Sequence, residues 1–460
     1  MEENKMGTMP INKLLVNMSL PMVISMLVQA LYNFVDSIFV ARISDPAITY
    51  IDAGKAAINA VGMAFPFQTL IIAFGNGVCV GMNAILSKAL GEKDNDKVQK
   101  AAMNGIFLQI LNAVLFFFVG LFGAEFFIRT QGGEKIVLEY GTQYLSIVCM
   151  ASVFIFTQVI FERLLQSTGR TIFSMITQST GAIINIILDP ILIFGYFGFP
   201  EMKVAGAAIA TIIGQAVAAI MAIIFNIKFN KDVKIKISKF RPDLEMIKKI
   251  LSVGVPTMIM QSIGSVMTFF MNKLLSSLND IAVTVFTVYF KLQSLFFMPV
   301  FGLNNGLIPI LAYNYGAQKR KRMIQVIKLS MVYAFVFMLI GFGLFELVPG
   351  KLLNIFDTEG VGLVEIGVPA LKIIGVHFLA AWFCIVSGTV FQALGNGVYS
   401  LIVSAARQLV VLLPVAYLFA KIGGLDMVWW CFPVAEVMSL LVSTIFLVRI
   451  FKKVISKVPA

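Results

Sequence analysis

The sequence predicts an all-α polytopic membrane protein with twelve transmembrane helices in two pseudo-symmetric six-helix bundles, and three observations lead to this fold class. Of the 460 residues, 59% are hydrophobic and only 13% are charged, which is not the balance of a water-soluble domain. About a dozen stretches reach the roughly 20 apolar residues that a membrane helix needs. The second half of the chain also repeats landmarks of the first.

A basic connector at residues 228–245 separates two sets of apolar segments, so residues 1–227 are predicted to form one bundle and residues 246–460 another. The predicted spans of the N-terminal bundle are 14–40, 57–86, 101–123, 137–164, 171–197 and 204–227. Those of the C-terminal bundle are 246–275, 281–311, 323–348, 364–394, 400–419 and 427–451.

Lysine and arginine residues are concentrated in the connections on one side of the predicted membrane. With a cytoplasmic N-terminus, the inner connections and ends carry roughly two- to three-fold more of these residues than the outer connections. This excess predicts that both termini are cytoplasmic. The formal net charge of +12 therefore records topology, with contact to anionic lipid as a secondary effect, rather than nucleic-acid binding.

Landmarks of the first half recur in the second half at a nearly constant spacing. Gly91 is matched by Gly316 in this repeat, and Gly169 is matched by Gly395. An even number of spans per repeat gives both halves the same orientation, which is typical of transporters that work by alternating access to a central cleft. Neither a channel filter nor a ring of repeated charges is apparent in the sequence.

Polar residues inside the apolar spans are the candidate functional residues, because such groups are costly in lipid. In the first span, Ser25, Gln29, Asn33 and Asp36 recur at helical spacing and form one stripe, flanked by Tyr32. We expect this stripe to face a polar cleft.

A second stripe in the fifth span consists of Ser174, Gln178, Asn185 and Asp189, and Pro190 follows it directly. Proline leaves the carbonyl four residues earlier without its helical donor, which bends the helix and adds an oxygen ligand to the site.

Asp36, Asn185, Asp189 and Thr211 are predicted to lie at similar depth in the outer half of the N-terminal bundle, from a helical rise of about 1.5 Å per residue. Their oxygen atoms suit either Na⁺ or a proton on a carboxyl group. The alternative is a buried network that only joins helices. In the second half, the positions equivalent to Asp36 and Asp189 are apolar, so only the first half would bind the ion.

Other polar residues in the spans give weaker indications. Lys291 and Glu436 lie at similar depth and could form a buried pair. Glu162 precedes Arg163 near the inner end of the fourth span, which favours a role at the cytoplasmic flank. His377 is the one histidine, and its apolar flanks favour core packing over proton transfer.

Motifs for ATP binding or hydrolytic catalysis are absent from the sequence, and the 4 cysteines lack metal or redox spacing. We therefore expect no enzyme activity and no cofactor other than H⁺ or Na⁺, whose gradient would drive transport. A non-transporting membrane receptor or scaffold is the alternative from a different functional class.

The sequence resembles the multidrug and toxic compound extrusion (MATE) family of the MOP flippase superfamily over essentially its whole length, and most of all MepA-type members near the DinF branch. The stretches that carry the resemblance are SLPMVISMLVQALYNFVDSIFVARI (19–43), GMNAILSKALGEKD (81–94), FERLLQSTGRT (161–171), NIILDPILIFG (185–195), VAGAAIAT (204–211) and FQALGNG (391–397).

This resemblance implies a monomeric antiporter of the bacterial cell membrane that exports amphipathic or cationic drugs and dyes while H⁺ or Na⁺ enters. It implies that Asp36, Asn185 and Asp189 bind the coupling ion, that Thr211 supplies a hydroxyl, and that the first helix bends at Pro21. A flippase for lipid-linked precursors, from the same superfamily, remains the alternative.

Overall fold

The computed structural model describes residues 4–44, 53–132, 134–235, 240–355 and 362–459. These residues are almost entirely helical, as expected for a chain that must satisfy its backbone hydrogen bonds internally within lipid. Residues 236–239 of the predicted connector lie outside the described residues.

The described residues of the first half form nine α-helices. They are α1 (Lys5–Thr8), α2 (Ile11–Ala41), α3 (Ala53–Gly91), α4 (Asn95–Phe122), α5 (Ala124–Thr130), α6 (Lys135–Met150), α7 (Ser152–Ser167), α8 (Thr171–Phe194) and α9 (Lys203–Phe229).

The described residues of the second half form nine further α-helices and one π-helical segment, Ala406–Leu412, between α16 and α17. The helices are α10 (Leu244–Leu278), α11 (Asp280–Gly316), α12 (Arg320–Leu347), α13 (Pro349–Asn354), α14 (Leu363–Gly375), α15 (Phe378–Ala393), α16 (Gly397–Ala405), α17 (Leu413–Val428) and α18 (Cys431–Lys453).

The helices account for twelve predicted spans when each bent pair is counted as one. Within the described residues, ten segments are long and apolar enough to cross a membrane without a sharp break. Two further spans are bent pairs: α6 meets α7 at 47°, and α14 meets α15 at 51°. The predicted all-α, twelve-span fold class is confirmed, and the spans predicted at 137–164 and 364–394 each contain a break.

The chain forms two compact units. The N-unit comprises Ile24–Ala89 and Asp94–Gly254, and the C-unit comprises Met1–Val23, Leu90–Lys93 and Val255–Ala460. These units are defined by neighbours in the folded chain, whereas the bundle boundaries at residues 227 and 246 come from the sequence repeat and stay a prediction.

The N-terminal segment belongs to the C-unit because its backbone is held there by polar side chains. Asn314 donates to the Met6 carbonyl at 3.1 Å, and Arg322 donates to the Met9 carbonyl at 2.7 Å. Further along α2, the Ser19 hydroxyl donates to the Leu303 carbonyl at 3.2 Å. The start of the first span is therefore anchored on α11 and α12.

The two halves repeat the same turns, which gives the sequence repeat a structural counterpart. The equivalent residues Gly169 and Gly395 have φ angles of +86° and +79°, a left-handed conformation that glycine adopts without a Cβ clash. The N–H of Gly169 donates to the Gln166 carbonyl at 3.0 Å, and that of Gly395 donates to the Gln392 carbonyl at 3.1 Å. The turn that follows the fourth span is thus repeated after the tenth.

Close packing of α8 on α9 prepares the functional site of the N-unit. A Cβ atom on Gly214 would lie 2.6 Å from the Gly181 carbonyl oxygen, and one on Gly181 would lie 2.9 Å from the Gly214 carbonyl oxygen. Glycine at both positions lets the two backbones approach closely. Asn185 and Thr211, each about one turn from this crossing, are thereby brought together.

Candidate functional site

The carboxyl groups of Asp36 on α2 and Asp189 on α8 form a direct side-chain contact in the N-unit. Asp189 is fully buried, and Asp36 is half-buried with Oδ1 enclosed and without a hydrogen-bond partner among the described residues. Two carboxylates this close repel each other strongly when both are charged. Proximity of the two carboxyl groups therefore favours a state in which the pair holds at least one proton.

Asn185 connects this carboxyl pair to α9. With its amide nitrogen toward Asp189, that nitrogen donates to Asp189 Oδ2 at 3.3 Å, and the amide oxygen accepts from the Thr211 N–H at 3.0 Å. The Thr211 hydroxyl in turn donates to the Ala207 carbonyl at 3.0 Å. Three helices, α2, α8 and α9, therefore supply the four residues predicted to bind the coupling ion, and the structure brings all four together.

Two tyrosines lie beside the carboxyl pair. Tyr32 interacts electrostatically with Asp36 and Asp189 and is hydrogen-bonded to Gln29. Tyr144 on α6 also interacts electrostatically with both carboxyls, and its hydroxyl accepts from Gln68 Nε2 at 2.9 Å. Tyr144 was not identified from the sequence, because the predicted fourth span gave no polar stripe around it.

The remaining residues of the two stripes divide between the protein interior and the exposed surface. Gln29 and Asn33 are exposed, whereas Ser25 is buried and its hydroxyl donates to the side-chain carbonyl of Gln178. Pro21 lies within α2 and Pro190 within α8, and both helices continue past them. Bending at these prolines stays a prediction.

Glu162 lies in a second polar cluster of the N-unit, away from solvent. Its side chain is 2% exposed, and Oε1 accepts from Gln158 at 3.0 Å and from the Thr177 hydroxyl at 2.9 Å. Oε2 accepts from Gln178 Nε2 at 2.7 Å. A role at a solvated cytoplasmic flank does not fit this burial. The sequence feature that could have indicated this cluster is the four-residue spacing of Gln158 and Glu162, which places both side chains on one helix face.

The predicted pair of Lys291 and Glu436 is wrong. Lys291 is exposed, and Glu436, at 3% exposure, forms a salt bridge with Arg407 at 3.4 Å. Arg407 lies in the π-helical segment, whose wider turn shifts the facing of each following side chain relative to a regular α-helix. Similar depth along the chain therefore did not identify the partner of Glu436, which comes from the π-helical segment.

His377 packs in an aromatic cluster of the C-unit, as predicted. Its side chain is 5% exposed and lies among Tyr289, Phe297, Phe378 and Phe432. Its Nδ1 is 2.5 Å from the Ile374 carbonyl oxygen. Among the described residues, no group of three or more His, Cys, Asp or Glu side chains converges in a metal-binding arrangement.

Known proteins resemble this chain over nearly its full length. The multidrug export protein MepA of Staphylococcus aureus (strain bovine RF122 / ET3-1) is 27% identical over 428 residues, which cover 93% of this chain and 91% of that protein. MepA of Staphylococcus saprophyticus subsp. saprophyticus is 26% identical over 438 residues, with coverage of 93% and 92%.

Solved structures share the fold. A multidrug resistance MATE family transporter of the MOP superfamily, in an outward-facing conformation, superimposes with a TM-score of 0.90 at 24% identity and covers 99% of both chains. A MOP superfamily transporter from Pyrococcus furiosus, described as having a binding pocket of reverse polarity, gives a TM-score of 0.88 at 24% identity, with coverage of 98% and 99%.

The sequence profile of the MatE family matches this chain twice, at residues 21–191 and at residues 256–418. One match falls in each half, in agreement with the internal repeat and with the repeated turn at Gly169 and Gly395. The two matches together cover well over half of the chain, and the protein therefore belongs to the MatE family.

Proposed function

We propose that this protein is a multidrug efflux antiporter of the bacterial cell membrane, with both termini cytoplasmic, that exports amphipathic or cationic compounds in exchange for H⁺. Membership of the MatE family and the export function named for its MepA relatives support the transport activity. The excess of Lys and Arg in the predicted inner connections supports the orientation.

The observation that carries the coupling proposal is the contact between the Asp36 and Asp189 carboxyls. A pair that shares one proton takes up a second proton when both groups become neutral and releases it when one group regains its charge. The Asn185 amide can donate to Asp189 in either state, so the pair can change charge without losing its link to α9.

Coupling then follows from linkage between the two ligands. If proton uptake favours the conformation that releases the drug, drug binding must favour proton release by the same factor. Met271 and Val415 stand in the second half where Asp36 and Asp189 stand in the first, and their apolar side chains support an exchange that takes place in the N-unit.

The test is efflux of ethidium, a cationic dye, from proteoliposomes under separately imposed pH and Na⁺ gradients. We expect a pH gradient alone to drive efflux and a Na⁺ gradient at constant pH to have no effect. Efflux driven by a Na⁺ gradient alone would identify Na⁺, and not H⁺, as the coupling ion and would contradict this part of the proposal.

The same vesicles distinguish the rival functions. A flippase would translocate a fluorescent lipid pyrophosphate without moving ethidium, and a receptor or scaffold would move neither compound. Either result would contradict the proposed antiport.

A further inference from the structure

The second half of the chain shows that helix packing at position 162 does not require a carboxyl group. Glu162 corresponds to Gly388 in the repeat that also pairs Gly169 with Gly395. The Ser174 hydroxyl donates to the Glu162 backbone carbonyl at 2.8 Å, and the Ser400 hydroxyl donates to the Gly388 carbonyl at 2.8 Å. The two halves therefore keep the same interhelical hydrogen bond, while only the N-unit adds a buried carboxyl to it.

The hydrogen bonds of this carboxyl come from neutral side chains on two helices. Gln158 belongs to α7, and Thr177 and Gln178 belong to α8. A buried carboxylate is costly in an apolar bundle. Because the equivalent helix pair of the second half packs without one, the presence of Glu162 indicates a functional role.

The charged and titratable groups near Glu162 are few. Arg163 follows it on α7 and Cys79 faces it from α3, and both interact with it electrostatically. Arg163 keeps its charge at any physiological pH, and a buried thiol stays protonated. Glu162 is therefore the group of this cluster whose charge can change during a transport cycle.

We propose that Glu162 is a second protonation site of the N-unit and that its charge state is transmitted to the first span through Gln178 and Ser25. This inference rests on the proposed H⁺ antiport and adds a second proton-binding group to it, at a position distinct from the Asp36 and Asp189 pair.

The hydrogen bonds of Gln178 connect Glu162 to Ser25. In the charged state, Oε2 of Glu162 accepts from the Gln178 amide nitrogen, while the Gln178 amide oxygen accepts from the Ser25 hydroxyl. A proton that binds to Oε2 forms an O–H bond and makes this atom a donor. Gln178 must then turn its oxygen toward Glu162 and its nitrogen toward Ser25.

This reversal reaches a functionally placed segment of α2. Ser25 must change from donor to acceptor, about one turn after Pro21 and just past the point at which α2 passes from the C-unit to the N-unit. Protonation of one buried group on the fourth span thus alters a contact of the first span, on the same helix that carries Asp36.

A direct test of protonation is difference infrared spectroscopy of the purified protein after a drop in pH. We expect wild type to gain a carboxylic acid C=O band that is absent from Glu162→Gln and present in Glu346→Gln, which carries the same acid-to-amide change on α12 outside this cluster. Identical bands in wild type and Glu162→Gln would overturn the proposal. This measurement needs no transport activity, so it remains decisive if ethidium efflux fails.

A test of coupling is the number of protons released when ethidium binds to the protein in a weakly buffered detergent solution. We expect Glu162→Gln to release about one proton fewer per dye bound than wild type and Glu346→Gln to match wild type. An unchanged proton count in Glu162→Gln, with a lower melting temperature, would assign the residue a structural role only and overturn the proposal.

Discussion

At the scale of single residues, the carboxyl groups inside the bundles have different partners. Asp36 and Asp189 contact each other, Glu162 is held by neutral donors, and Glu436 is neutralised by Arg407. The first three lie in the N-unit and have uncharged counterparts in the repeat, whereas Glu436 has a fixed positive partner. The carboxyls without a fixed partner are those expected to exchange protons.

Replacement of Asp36 tests the coupling pair. Asp36→Asn keeps the size of the side chain but cannot share a proton with Asp189, so we expect pH-driven ethidium efflux to fall at least about tenfold, a change of about 1.4 kcal/mol or more. The measurement is the initial efflux rate at equal protein content in proteoliposomes.

The matched control for this variant is Asp426→Asn, which carries the same acid-to-amide change at an exposed position of α17. We expect the control variant to insert normally, as judged by its amount and its elution from size exclusion, and to keep its efflux. Wild-type efflux by Asp36→Asn would remove the carboxyl pair from the mechanism.

Replacement of Arg407 tests the pair that the structure reveals in the C-unit. Arg407→Met leaves the buried Glu436 carboxylate without its cation, and removal of one partner of a buried pair costs about 3 kcal/mol. We expect a lower melting temperature in detergent for this variant. The double variant Arg407→Met with Glu436→Leu should recover most of the loss, and a double variant as unstable as the single one would contradict a pairwise interaction.

At the scale of helices, the sequence reveals the membrane spans through the length of their apolar runs and the polar residues that separate them. The spans are predictable because a membrane helix needs a long uninterrupted apolar run. The breaks between α6 and α7 and between α14 and α15 are not, because each pair of helices taken together is still apolar enough to be one span. The π-helical segment at Ala406–Leu412 contains no proline or glycine that would mark it in the sequence. The partner of Glu436 was wrongly predicted because depth along the chain does not show which way a side chain points.

The site shows the same division between predictable and unpredictable features. Asp36, Asn185, Asp189 and Thr211 could be selected as a group because each is polar within an apolar run at similar depth. Glu162 could not, because its neighbour Arg163 favoured a flank position, and its burial depends on the crossing of α7 with α8. Packing between helices decides which polar residues meet, and this information is not local in the sequence.

The crossing of α8 and α9 is testable with glycine substitutions. Gly214→Ala places a Cβ atom 2.6 Å from the Gly181 carbonyl oxygen, so the helices must separate, and such overpacking costs about 1–3 kcal/mol. We expect a lower melting temperature and weaker pH-driven efflux, because Asn185 moves away from Thr211.

Gly343→Ala is the control for this change, because a Cβ atom on Gly343 has no neighbouring atom within 4 Å. Alanine in a helix interior is favoured over glycine by about 0.5–1 kcal/mol where the methyl group meets no neighbour, so this variant should be as stable as wild type or slightly more stable. Equal melting temperatures and equal efflux rates of the two variants would contradict the close packing of α8 on α9.

At the scale of the whole molecule, the charge distribution predicts which connections face the cytoplasm. The four native cysteines are buried, so a single new cysteine at an exposed site can report its side of the membrane. Glu201, before α9, and Lys234, in the connector, are exposed and lie on opposite sides of the predicted topology.

We expect a membrane-impermeant maleimide to label Glu201→Cys in intact cells and to label Lys234→Cys only after the membrane is opened. The measurement is the mass shift or fluorescence of the purified protein. Labelling of Lys234→Cys in intact cells, with protection of Glu201→Cys, would reverse the proposed orientation.

The two broken spans extend the internal repeat from single turns to the shape of a whole span. α6 ends at Met150 and α14 at Gly375, while α7 begins at Ser152 and α15 at Phe378, so the two breaks fall at equivalent positions of the repeat. The two halves therefore share a bent fourth span but differ in charge, since the acidic residues at positions 36, 162 and 189 have uncharged counterparts in the second half.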